Sequence, residues 1–198
     1  MVRIKWGLPS ALVLFLVFAA LTVFAEKATK IIKFVPNNQA RGVRGGKCWT
    51  GSIAAPRPDA WRCMIGNDIV DPCFATADAN FVICNPNPAR GNPGFKLKLT
   101  EPLPRSEIPA QPAYDGGWLI ELADSTLCRP ATGATFEVQG KTATYYCDKD
   151  FKGSEIVLLD GFSTARPLWT AEKAKIAQSA RGPKLIKSQK IAVKTVWQ

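Results

Sequence analysis

No histidine occurs anywhere in the 198 residues. Its absence removes Ser-His-Asp and Cys-His catalysis, the zinc sites of metalloproteases, and any charge switch run by imidazole. A serine–lysine nucleophile is the histidine-free alternative, yet no serine stands in an S-x-x-K frame. Glycine-rich phosphate loops are missing too. Neither G-x-G-x-x-G nor G-x-x-x-x-G-K-[ST] is present, so nucleotide binding has no support. The six cysteines are separated by 15, 10, 11, 44 and 19 positions and contain no C-x-x-C, which argues against thioredoxin-like exchange and a zinc ribbon. No N-x-[ST] sequon, internal repeat or low-complexity tract occurs. Neither a cofactor nor a specific nucleic-acid partner is expected.

Carboxylate chemistry needs no histidine, and a glycan hydrolase built on two acids is the main enzymatic alternative. Glu121 between Ile120 and Leu122, and Glu137 between Phe136 and Val138, read more simply as polar-face residues of half-exposed strands. Asp68, Asp71 and Asp78 stand among turn residues, where aspartate bonds its own backbone. Asp148, Asp150 and Gly153 match positions of a calcium loop, but Lys152 replaces a required oxygen ligand and Leu159 falls where the closing glutamate belongs. No metal site is expected.

The chain opens with Arg3 and Lys5, an uncharged stretch from 7 to 25, and Val23-Phe24-Ala25 before Glu26. This is the layout of a secretory signal, with cleavage expected before Glu26. Left uncut, residues 7–25 would nearly span a hydrocarbon core of roughly 30 Å and give a membrane association instead. Either way the protein is expected to be exported, to a secreted or cell-envelope location of bacterial type. In an oxidising compartment Cys48, Cys63, Cys73, Cys84, Cys128 and Cys147 form three disulfides. Cys128 and Cys147 fall on neighbouring strands and are expected to pair. The other four then pair among themselves in one of three patterns.

Charge divides the chain. The formal net charge is +10, and six Lys/Arg lie in 26–47 and seven in 171–198, each segment with a single acid. The expected organisation is a leader (1–25), a basic segment with a mobile loop (26–47), a disulfide-rich loop and β module (48–100), a proline-rich linker (101–115) and a β domain ending in a basic segment (116–198). Clean alternation in Phe95–Thr100 and the Gln139-Gly140-Lys141 turn before Thr142–Cys147 mark a strand and a hairpin. Two helical pieces are expected, Asp59–Met64 with Asp59 as cap and Thr170–Ile176 with Thr170 as cap. Ile191, Val193, Thr195 and Trp197 are expected on one face of a closing strand. The fold class is mainly β, a small disulfide-stabilised sheet or barrel-like domain beside a loop-rich N-terminal module.

What remains for function is binding. Trp49, Trp61, Trp118 and Trp169 are stacking candidates for sugar rings or a protein partner, flanked by Arg57 and Arg62, although tryptophans in a small disulfide-rich domain are as readily core. Arg57 between Pro56 and Pro58 has the form of a rigidly presented side chain, as in a protease-inhibitor loop. The expectation is a non-enzymatic exported protein that binds an anionic cell-envelope polymer, a glycan or a protein partner. The carboxylate hydrolase and a structural or inhibitor protein are the alternatives.

Overall fold

The computed structural model describes residues 28–37, 39–104, 116–147, 155–180 and 182–198. The expected leader, most of the linker and the calcium-loop-like 148–153 lie outside the described residues. A short strand, β1 (Lys30–Ile32), comes first. Then β2 (Val43–Gly51), β3 (Ala60–Ile65), β4 (Asp68–Ala75), β5 (Phe81–Cys84) and β6 (Phe95–Leu99) run as a meander and close into a five-stranded barrel. Neighbours in a meander alternate direction, so with five strands the first and last run the same way. The closing β2–β6 ladder is accordingly parallel, Val43 opposite Lys96 to Gly46 opposite Leu99.

A second meander follows: β7 (Leu119–Leu122), β8 (Leu127–Pro130), β9 (Glu137–Val138), β10 (Lys141–Cys147), β11 (Ile156–Ser163), β12 (Thr170–Ser179) and β13 (Gly182–Trp197). Strands β7, β8, β10, β11, β12 and β13 pair in that order, and β13 returns to β7. Six strands is an even number, and this closure is antiparallel. β1 adds to β13 in parallel, so the N-terminal segment belongs to the second ring although the first barrel lies between them in sequence.

Three disulfides each join residues directly opposite on adjacent strands: Cys48–Cys63, Cys73–Cys84 and Cys128–Cys147. The expected Cys128–Cys147 pair is present, and the first four cysteines pair with their strand neighbours. A cross-link closing a loop of this size stabilises by about 3 kcal/mol in the chain-entropy picture.

Several elements differ from expectation. Asp59–Met64 is not helical; β3 occupies it, because Trp61 and Cys63 are both buried and ladders to β2 and β4 take its backbone groups. Thr170–Ile176 is strand β12, laddered to β11 on one side and β13 on the other. Intrinsic helix propensity is a weak prior against two ladders. The expected loop at 37–47 contributes the start of β2, and Gly46 shows why its composition suits a strand here: a Cβ would lie 2.3 Å from the Met64 carbonyl oxygen and 2.9 Å from Leu97. The Asp71-Pro72 break sits inside β4, with a cis peptide bond. In β13 a register shift between Val193 and Thr195 breaks the expected single face. Val193 and Val196 enter the second barrel, and Trp197 joins the cluster between the two barrels. The glycine turn is as expected, with Gln139 and Gly140 both at positive φ between β9 and β10.

The first barrel is filled by Trp61, Val82, Leu97 and four half-cystines, the second by Ile120, Leu122, Tyr145, Leu158, Val193 and Val196. Between them lie Phe34, Phe74 and Trp118, with ring centroids 4.8 to 5.1 Å apart. Two arginines tie this junction. Arg57 forks onto Asp59 at 2.6 Å and donates to the carbonyls of Phe34 and Gln198. Arg129 on β8 donates to Asn85 Oδ1 at 2.6 Å and the Pro86 carbonyl at 2.8 Å, and its burial pushes its pKa down to about 10.

Candidate functional site

The aromatic and arginine candidates fall into different places. Trp118 is fully buried between the barrels and Trp61 is buried in the first. Trp169 is half-buried against the second core. Arg57 points inward, onto Asp59 and two main-chain carbonyls, rather than being held out from its proline-flanked loop. Trp49 and Arg62 are brought together. Trp49, the extra residue where the β2–β3 register shifts, is 40% exposed, and the Arg62 guanidinium carbon lies 5.9 Å from its ring centroid. Arg62 also donates to the Thr132 carbonyl of the second ring at 3.2 Å, so its charge is partly engaged within the fold. All six cysteines are in disulfides, which leaves no thiolate where Cys63, Cys73 and Cys84 converge within 4.8 Å.

Among the described acids, Asp71 is covered by the fold, and Asp160 and Glu172 share one surface groove. Burial pushes the Asp71 carboxyl up, but its oxygens are engaged by the Ser52 hydroxyl and the Ile53 N–H, and a neighbouring Arg62 pulls the other way. A surface groove of about 520 Å³ is lined by Asp160, Phe162, Ser163, Glu172, Ser188 and Lys190, among others. Within it Glu172 accepts from Lys141 Nζ at 2.5 Å and from Ser188, and these bonds hold its carboxyl below the usual range. Asp160 accepts the Thr142 N–H at 2.9 Å. A general acid needs its proton held more tightly than usual, and Glu172 has the opposite environment.

A concentration of unbalanced charge lies in the basic C-terminal segment. β12 and β13 pair from Thr170 opposite Ala192 to Ser179 opposite Gly182, with a register shift between Lys175 and Ile176 that leaves Ile186 as an extra residue, and the pair runs past the described ends of β11 and β7 as an arm. Residues facing each other across a ladder share a face. Leu158 of the barrel interior is opposite Lys173, Lys173 opposite Gln189, Ile156 opposite Lys175, and Lys175 opposite Lys187. The inner face of the barrel therefore continues onto the arm as a face of lysines. Ile156, Lys173, Lys175, Lys187 and Gln189 line a hollow of about 160 Å³ there.

These lysines are unequally balanced. Lys173 is well covered and donates to Asp124 at 2.6 Å and Thr126 at 2.7 Å. Desolvation raises Asp124, but the bonds from Lys173 and Thr126 outweigh it and hold the carboxyl below the usual carboxylate range. Among the described residues Lys175 pairs with Glu155 at 3.7 Å, with both side chains more than half exposed, a pair that water screens heavily. Lys187 has no ion pair with a described residue and stands directly opposite Lys175. Like charges facing each other across a ladder cost stability unless an anion lies between them.

The sequence held a signal for this site. Lys173 and Lys175 alternate with alanines, which puts them on one face of a strand but on nearly opposite sides of a helix. No family model, curated protein or solved structure matches the chain. The class rests on architecture alone: a disulfide-bonded β protein containing a closed five-stranded barrel and a second, six-stranded ring with a projecting basic arm.

Proposed function

We propose that this is a non-enzymatic exported protein that binds an anionic polymer or headgroup of the cell envelope through the lysine face of the β12–β13 arm. The observation that carries the reading is Lys175 standing opposite Lys187, beside Lys173 and Gln189, around a hollow of about 160 Å³. A phosphate or carboxylate group seated there would relieve their mutual repulsion and accept several hydrogen bonds at once. The arm gathers Lys173, Lys175, Lys184 and Lys187 on two strands, so an extended polyanion meets successive charges along it. Three disulfides fit an oxidising compartment, in line with export. The carboxylate-hydrolase reading has less support, because the acid whose pKa burial raises is engaged by Ser52 and Ile53, and of the two groove acids Glu172 is paired with Lys141 and Asp160 accepts the Thr142 N–H.

The test is titration of the protein with inorganic polyphosphate, and in parallel with phosphatidylglycerol and phosphatidylcholine vesicles, for the parent and the Lys175→Gln/Lys187→Gln double variant. Each lysine near an anionic surface contributes roughly 1 kcal/mol, so the double variant is expected to bind about 30-fold more weakly and with a shallower salt dependence. Equal affinity of variant and parent for both anionic probes would remove the reading.

A further inference from the structure

The arm has a second property that is independent of its charge: one of its edges is unpaired among the described residues. In β13, residues up to Ala192 pair with β12, and Val193–Trp197 pair with β7, with β1 against Thr195–Trp197. From Pro183 to Ile191 no described strand lies along the side that β7 occupies further on. Ile186, Lys187, Ser188, Gln189 and Lys190 are all exposed, and Ile186, at 57%, is one of six exposed large apolar side chains among the described residues. The Ala192 carbonyl accepts from the Ala123 N–H, on the β7 side, whereas the Val193 N–H donates to Trp169, on the β12 side. Backbone groups alternate sides along a strand. Counting back from Ala192, the N–H and C=O groups of Lys190 and Ser188 face the unpaired side.

We infer that the free edge of β13, Pro183 to Ile191, is a strand-addition site for an extended acidic peptide segment of a partner protein. An incoming strand would complete the ladder with the main-chain groups of Ser188 and Lys190. Its side chains would lie beside Lys187 and Gln189 on one face and Ser188 and Lys190 on the other, so acids on both faces find lysines. Ile186 offers one apolar contact. Lysine is also the residue that guards sheet edges against uncontrolled pairing. Here the two roles coincide: a second copy of this edge brings lysine against lysine and is rejected, and an acidic strand is admitted. This site adds main-chain groups of the edge to the side-chain charge, and it shares Lys187 and Gln189 with the polymer reading, whose hollow lies on the inner face.

The experiment takes the full chain and three capped peptides about eight residues long, a common strand length: alternating Glu and Val, alternating Glu and Pro, and alternating Lys and Val. The Glu-Pro peptide keeps the charge but favours polyproline II, whose threefold turn does not hold its remaining N–H groups along one edge. We expect the Glu-Val peptide to bind at least about tenfold more tightly than either of the others and to slow amide exchange at Ser188 and Lys190. Ser188→Pro removes an outward N–H without touching the β12 ladder and is expected to abolish this binding, whereas Ser188→Ala keeps it. Polyphosphate affinity is expected to survive Ser188→Pro, which separates this site from the lysine hollow. Equal binding of the Glu-Val and Glu-Pro peptides, protection elsewhere than Ser188 and Lys190, or concentration-dependent dimers in sedimentation would overturn the proposal. Should Ser188→Pro fail to fold, the exchange pattern of the unaltered protein with the two acidic peptides decides it.

Discussion

Residues of the same chemical type end in opposite roles here because the fold decides which of them are spent internally. Arg57 and Arg129 hold the two barrels together through carbonyl and carboxylate partners, whereas Lys175 and Lys187 face each other with one weak counter-charge between them. Asp71 is the instructive acid. Its folded-state pKa lies above the ordinary value of 3.8 because burial disfavours the charged form more than Ser52, Ile53 and Arg62 favour it. The folded state then holds this proton more tightly than the unfolded chain. Asp71 contributes most favourably below 3.8, and its contribution falls as pH rises through the folded pKa. Asp124 and Glu172, whose pKa values are lowered, act in the opposite direction, but both are near the surface and solvent screens their effect. Asp71→Asn is therefore expected to gain stability relative to the parent as pH is raised from below 3.8 into the range above it. Urea unfolding of both proteins across that series checks it, and a difference that does not change with pH would show that burial does not govern this carboxyl.

At the scale of elements, the sequence is legible where periodicity and turn chemistry agree and illegible where ladders override them. Alternation in Phe95–Thr100 and the Gln139-Gly140 turn predict a strand and a hairpin, and both are present, the strand as Phe95–Leu99. Thr170–Ile176 reads as helical, with Thr170 as its cap, but lies within the strand Thr170–Ser179. Its alanines instead face packing on both sides: Ala171 lies in the second core, and Ala174 and Ile176 lie under Val138 on the outer face. Reading it as a helix separated Lys173 from Lys175 by about 200° and hid the shared face that makes them a site. Closure of the first barrel was hidden for another reason. A parallel pairing between residues some fifty positions apart leaves no local signature, and only Gly46 betrays it. Gly46→Ala is expected to destabilise the protein by about 3 kcal/mol, since both the Met64 carbonyl and Leu97 must move to admit one methyl group. The neighbouring Gly45→Ala meets nothing within 4 Å and serves as the control. If thermal unfolding shows the two variants equal, the close approach of β2 to the barrel wall is not a constraint on folding.

The molecule as a whole is two rings joined by an apolar junction, and the junction explains how a chain of this length supports an arm that adds little core of its own. Phe34 from the N-terminal segment, Phe74 from the first barrel and Trp118 at the entry to the second meet there, and Trp197 from the last strand joins them. Four separate stretches of chain thus converge on one cluster, which places the N-terminal segment and the C-terminus under the same stabilising contact. The disulfides staple strands within each ring and none crosses between rings. Coupling between the rings therefore rests on this cluster together with Arg57, Arg62 and Arg129. Replacing a buried tryptophan by alanine costs about 3 to 5 kcal/mol, and here the loss falls on contacts that both rings share. Trp118→Ala is accordingly expected to turn a single calorimetric unfolding transition into two while all three disulfides stay closed. The first transition is expected to release the second ring, which loses β1 along with Trp118, and the disulfide-rich first barrel is expected to melt later. One shifted transition with unchanged cooperativity would instead mean that the arginine ties alone suffice to make the rings unfold together. The lysine arm would then rest on a fold stabilised mainly by polar contacts across the junction.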